Sequence, residues 1–194
     1  MALTLARYLA AQAHNNAHSN HRLLGAALRL SDEEAAAPRV GFFPSILATL
    51  NHNVTVDWYY VDALERGVRG APVNQGARGY FDPPEPFDRV GPLAEAQRAV
   101  DARLVALCDR LTQADLERSI GVMRSVGVLF EPLPRLLAHL FQHQIHHRGQ
   151  AHAMLSGTSV APPQLDEFFC ANEAHLRADE LAALGTSEQE IWGA

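Results

Sequence analysis

Lysine is missing from this chain, and all 16 basic residues are arginine. Against 22 acidic residues they leave a formal charge of -6, with no segment that gathers them into a basic stripe. A nucleic-acid backbone would meet net repulsion instead of a clustered cationic footprint, so nucleic acid is not an expected partner. Cysteine is scarce as well. Cys108 and Cys170 stand far apart with no CxxC, which argues against a disulfide framework or a cysteine zinc site and suits a reducing compartment. No run of about 18 apolar residues occurs, so no membrane span is expected. The first residues lack the charged start and apolar stretch of a signal peptide, and the expected location is the cytoplasm.

What remains is a globular composition, 47% hydrophobic and 20% charged over 194 residues, enough to bury a core without cross-links. Apolar residues between Leu3 and Leu30 recur at three- and four-residue intervals, which predicts an amphipathic helix. Ser31 with Asp32, Glu33 and Glu34 reads as the acidic start of a short helical turn. A second helix is expected from Pro44 to about Arg66, a third over 92–112 and a fourth from Pro132 or Pro134 to Ser156, closed by Gly157. Glycines and prolines over 67–92 predict a long surface loop. Residues 115–119 read as a short turn, 122–130 as connection without a sheet, 164–184 as helix and 187–192 as a last turn. The expected class is all-α, a helical bundle whose inward-facing side chains can build a metal site.

Ten histidines occur, and five of them crowd into residues 139–152. Random placement would give roughly half of one i,i+4 pair, whereas 14/18, 139/143 and 143/147 all have that spacing. Residues four apart on a helix lie one turn apart on nearly the same face, so His143 and His147 can aim two imidazoles at one ion. Surface or core histidines satisfied by water and backbone are the plainer explanation of the same spacing. Gln144 stands where an HExxH protease carries its glutamate base, and an amide accepts no proton at neutral pH, which excludes that chemistry. Two ligands underligate a transition ion. His52 in the second helix is a candidate third donor, although a lone histidine on an apolar helix face is more often a hydrogen-bonded core residue. His139 is an alternative partner for His143, while His146 points about 100° away from His147.

The stretch His143-Gln-Ile-His-His-Arg-Gly-Gln150 resembles the HxxxHRGQ signature of the DinB, or DinB/YfiT-like, family. Phe42 to Trp58 is similar to the family's serine-initiated helix with a histidine and a following aspartate-aromatic pair, placing His52, Asp57 and Trp58 on those positions. Asn16 and Asn20 resemble the spaced asparagines of its first helix, and Pro162 to Asp166 its ending, so the likeness spans about residues 5–169. It implies a four-helix bundle over 1–169, with 170–194 as a C-terminal extension of short helices packed on or trailing from it. It also implies one divalent metal ion, usually zinc or nickel, on His52, His143 and His147, and frequently a homodimer. Characterised relatives include transferases that use a low-molecular-weight thiol, which makes a small-molecule substrate the expected partner.

Metal-bound histidines usually donate their other ring nitrogen to a carboxylate, carbonyl or water, which makes Asn20, Asp57 and Gln150 candidate supporting residues. Solvated or helix-pairing roles are the plainer explanation for Asp57, Arg148 and Gln150. Three functions follow: a metal-dependent thiol transferase, a non-catalytic metal-binding stress-response protein, and a metal-dependent hydrolase, the last lacking an evident carboxylate base.

Overall fold

The computed structural model describes residues 3–193. Along them run α1 (Leu5–Ala27), α2 (Asp32–Ala36), α3 (Ile46–Arg69), α4 (Val90–Cys108), α5 (Gln113–Leu116), β1 (Ser119–Arg124), β2 (Gly127–Pro132), α6 (Leu133–Leu155), α7 (Ala174–Ala183) and α8 (Glu188–Trp192). The chain is mostly helical, with one small two-stranded sheet among the described residues. None of the described helices is long and apolar enough to cross a membrane.

The helix starts follow from side-chain capping. Thr4 Oγ1 accepts from the Arg7 amide at 3.2 Å to open α1, and Ser45 Oγ accepts from the Ala48 amide at 3.0 Å to open α3. The second long helix therefore begins after Pro44 and continues past Arg66 to Gly70, whose φ of 67° is the left-handed turn that glycine makes without a Cβ clash. The fourth ends differently from expectation. Its cap is Ser156 in the right-handed region, and Gly157 takes no positive φ.

α1 packs against α4 and α6, and α3 packs against the same two helices, so four long segments enclose one core. Leu23, Val54, Leu64, Leu93, Val100, Leu137, Leu140 and Leu155 are buried there. α3 and α6 lie side by side, which sets residues on their facing turns opposite one another.

The expected plain connection at 122–130 is instead a hairpin. β1 and β2 pair antiparallel from Ser119↔Pro132 to Arg124↔Gly127, leaving Ser125 and Val126 as the turn. Two short strands hold because one face is backed by a helix: Ile120 and Val122 are buried, and β1 lies on α3. At Gly67 of α3 a Cβ would sit 2.4 Å from Ile120 Cδ1, so the glycine lets the strand approach that closely. The Tyr59 hydroxyl, donating to the Met123 carbonyl, fastens the hairpin to α3.

The expected loop over 67–92 contains a 3-10 turn, Ala77–Phe81, and the expected helix over 164–184 is helical only from Ala171 onward. Phe168, Leu181 and Ile191 form a small apolar cluster with Ala11 of α1. Arg22 of α1 bonds to Glu167 and Glu180, and His18 Nε2 lies 2.8 Å from Glu180 Oε2, so the final residues are clasped to the first helix.

Candidate metal centre

α3 carries His52 and α6 carries His143 and His147 onto their shared face. The ring centroids lie 4.9 Å (52/143), 4.6 Å (52/147) and 4.5 Å (143/147) apart. One nitrogen from each ring falls within 4.8 Å of the other two. The Nε2 atoms of His52 and His143 face each other at 2.9 Å. Ion-free, one ring can donate to the other across this gap, whereas a cation there would take a lone pair from each.

Burial pushes the proton affinity of these rings down. His52 is lowered to about 4, first by desolvation and then by the neighbouring charge of His147. His143 is lowered to about 3, again by desolvation first and then by the surrounding histidines. His147 is lowered by burial, against a hydrogen bond to Gln150 that raises it. All three are therefore neutral imidazoles near neutral pH, the form that ligates.

Gln150 lies beside the histidines. Its Oε1 accepts from His147 Nδ1 at 2.8 Å, which leaves the lone pair on His147 Nε2. Its Nε2 in turn lies 3.0 Å from His146 Nε2, so His146 orients the amide. Three neutral imidazole donors, one with its tautomer held by an amide, fit a divalent transition-metal ion.

Asn20 and Asp57 sit elsewhere, with no hydrogen bond to the three imidazoles among the described residues. Asn20 donates to both carboxylate oxygens of Asp101, at 3.0 and 3.1 Å. Asp57 accepts from Gln97 at 2.6 Å and from Gln144. Gln97 also reaches Asp101, and the Arg148 guanidinium donates to the side-chain oxygens of Asn16 and Asn20. The result is a buried polar network joining α1, α3, α4 and α6. Burial raises the proton affinity of both Asp57 and Asp101, and the positive charge of Arg148 works against that rise in each.

Two aromatics missed by periodicity close one side of the histidine cluster. The Phe43 ring lies 4.5 Å from His52 and 5.5 Å from His147, and Phe42 lies 6.2 Å from His147. Both belong to the connection before α3, where no helical spacing marks them. His139 stays outside the converging set, with its ring 6.4 Å from that of His143.

A cleft of about 310 Å³ opens against His52 and His143 and is bordered by Tyr59, Tyr60, Arg124 and His139. Trp58 lies away from it, against Tyr80 and Phe87. A larger cleft of about 750 Å³ between α1, α4 and the C-terminal helices shares none of these side chains. The donor chemistry places the functional candidate at the smaller one.

No curated protein matches the chain. The sequence model of the DinB family matches residues 7–180, past the residue 169 limit read from motifs and into α7. With most of its length matched, this chain belongs to the DinB family.

Proposed function

We propose that this protein is a four-helix bundle of the DinB/YfiT-like type that holds one divalent transition-metal ion, zinc or nickel, on His52, His143 and His147, and uses it to transfer a small thiol to an electrophilic substrate. The observation that carries the reading is the convergence of three neutral imidazoles from two helices, with donor atoms within 4.8 Å of one another. Three protein ligands leave a coordination position for an exogenous group. A divalent ion there supplies Lewis acidity, which acidifies a bound thiol or water at neutral pH.

The chain's own residues prepare that chemistry. Gln150 fixes the His147 tautomer, and the Phe43 ring packs beside those of His52 and His147. The cleft beside His52 and His143 gives a small substrate its approach. Among the described residues no carboxylate lines this cleft, so a hydrolase lacks an evident acidic base there; a thiol needs no such group once acidified. Self-association into a homodimer is part of the reading, checked by sedimentation equilibrium.

Metal-loaded protein is incubated with a panel of small thiols and a soluble electrophile, and the conjugate is measured by mass spectrometry. Conjugation above the metal-free control supports transfer. Equal yields with and without metal across the panel leave a metal-binding protein without this activity, and turnover without any thiol indicates hydrolysis.

A further inference from the structure

The cleft against the histidines has a charge pattern that metal ligation does not require. Arg78 and Arg124 line it together with Tyr59, Tyr60, Ser125 and His139, and no aspartate or glutamate does, in a chain where acidic residues outnumber basic ones. Of the other 14 arginines, Arg22, Arg66, Arg69, Arg89, Arg103, Arg118 and Arg177 meet carboxylates, and the rest form no salt bridge among the described residues. Among the described residues neither Arg78 nor Arg124 has an acidic partner.

Their placement is built. The Arg124 guanidinium lies 5.7 and 5.4 Å from the ring centres of Tyr59 and Tyr60, which hold it on the wall of the cleft. The hairpin bearing it is fastened to α3 by the Tyr59 hydroxyl. Arg78 arrives from the 3-10 turn Ala77–Phe81, on a separate segment, and its charge acts on the Tyr59 phenol. An anion entering the cleft would meet two positive charges from separate segments and no carboxylate among the described residues.

We propose that Arg78 and Arg124 form an oxyanion subsite, so that the substrate carries a carboxylate or phosphate group gripped by these guanidiniums while its reacting end lies against His52 and His143. The placement of the reacting end rests on the metal reading above; the anion grip does not. Planar guanidinium forks suit carboxylate and phosphate oxygens alike.

Calorimetric titration separates the two. Butyrate serves as a carboxylate, propyl phosphate as a phosphate monoester and butyramide as the uncharged control, each titrated into metal-loaded and metal-free protein. Metal-free protein is expected to bind an anion about tenfold or more tighter than butyramide, as charge-assisted bonds warrant. The tighter of the two anions identifies the group as carboxylate or phosphate. Arg78→Gln and Arg124→Gln should each remove most of that margin while butyramide binding and metal content stay unchanged. If Arg124→Gln unfolds early through loss of tyrosine packing, Arg124→Lys is used, and a several-fold loss is expected because the fork is gone and the charge kept. Equal binding of the anions and butyramide, or a margin that survives both substitutions, overturns the subsite and leaves the metal reading standing. Protein that takes up no metal yet prefers an anion to butyramide, and loses that preference in the variants, keeps the subsite while the metal reading fails.

Discussion

Replacing His143 by alanine tests the centre most directly, because its Nε2 faces that of His52 and its ring is 4.5 Å from that of His147. Loss of a residue that merely orients a ligand weakens metal binding about 10–100-fold, so loss of the ligand itself should reach at least the upper figure. At a free metal concentration of about 100 Kd, binding stabilises the folded state by about 2.7 kcal/mol. For a chain of this size each kcal/mol moves the midpoint by about 2–4 °C, so metal should raise the melting temperature by about 5–11 °C. In His143→Ala the same concentration falls to about one Kd or below, the stabilisation drops to about 0.4 kcal/mol and the shift to about 1–2 °C. Scanning calorimetry with and without added zinc or nickel, beside elemental analysis, reads both quantities. His139→Ala is the control and should retain the full shift, since its ring lies outside the converging set. Equal metal content and equal melting shift in wild type and His143→Ala would refute the reasoning.

Gln150→Ala should weaken metal binding about 10–100-fold without unfolding the protein, as measured by competition with a chromophoric chelator, because the His147 tautomer loses its acceptor. Leu137→Ala, in the centre of the core, should cost about 2–5 kcal/mol in urea denaturation; a cost below 1 kcal/mol would mean that the four long helices do not share a packed interior. Ion-free, His52 and His143 take up protons only near about 4 and about 3, against an ordinary value of 6.5 in the unfolded chain. Between those values the unfolded chain binds more protons, so these two groups make stability rise with pH up to about 6.5 and contribute no slope above it. His143→Gln should therefore stabilise the ion-free protein more at pH 4.5 than at pH 7.5, and the reverse order in denaturant melts would contradict the burial argument.

The sequence carried the long helices well, because apolar residues such as Leu136, Leu137 and Leu140 recur at the helical interval and face one core. Spacing alone brought His143 and His147 onto one face, but it cannot bring two helices together, so His52 stood only as a candidate third donor until the family likeness joined it to the pair. The hairpin escaped because its strands are six residues long and show their buried face only through Ile120 and Val122, whose backing by α3 is a tertiary fact. Phe42 and Phe43 sit in a connection with no period. Gln97 and Asp101 lie four apart on α4, a spacing that reads equally as a solvated face, and nothing local announces that Asn16, Asn20, Asp57 and Arg148 converge on them in the interior. That burial is why Asn20 and Asp57, named as candidate supports for the ligand rings, belong to a different network.

Neighbouring residues 147 and 148 look in different directions, as successive positions on a helix must. The ring of one faces the ion position while the guanidinium of the next is sunk into two asparagine amides of α1. Any slide or roll of α6 that would disperse the imidazoles must first pull a buried cation off its anchors. The first helix thus acts as a register pin for a site it does not touch, and the donor atoms are held in place before any ion arrives, so that little of the binding free energy is spent on rearrangement.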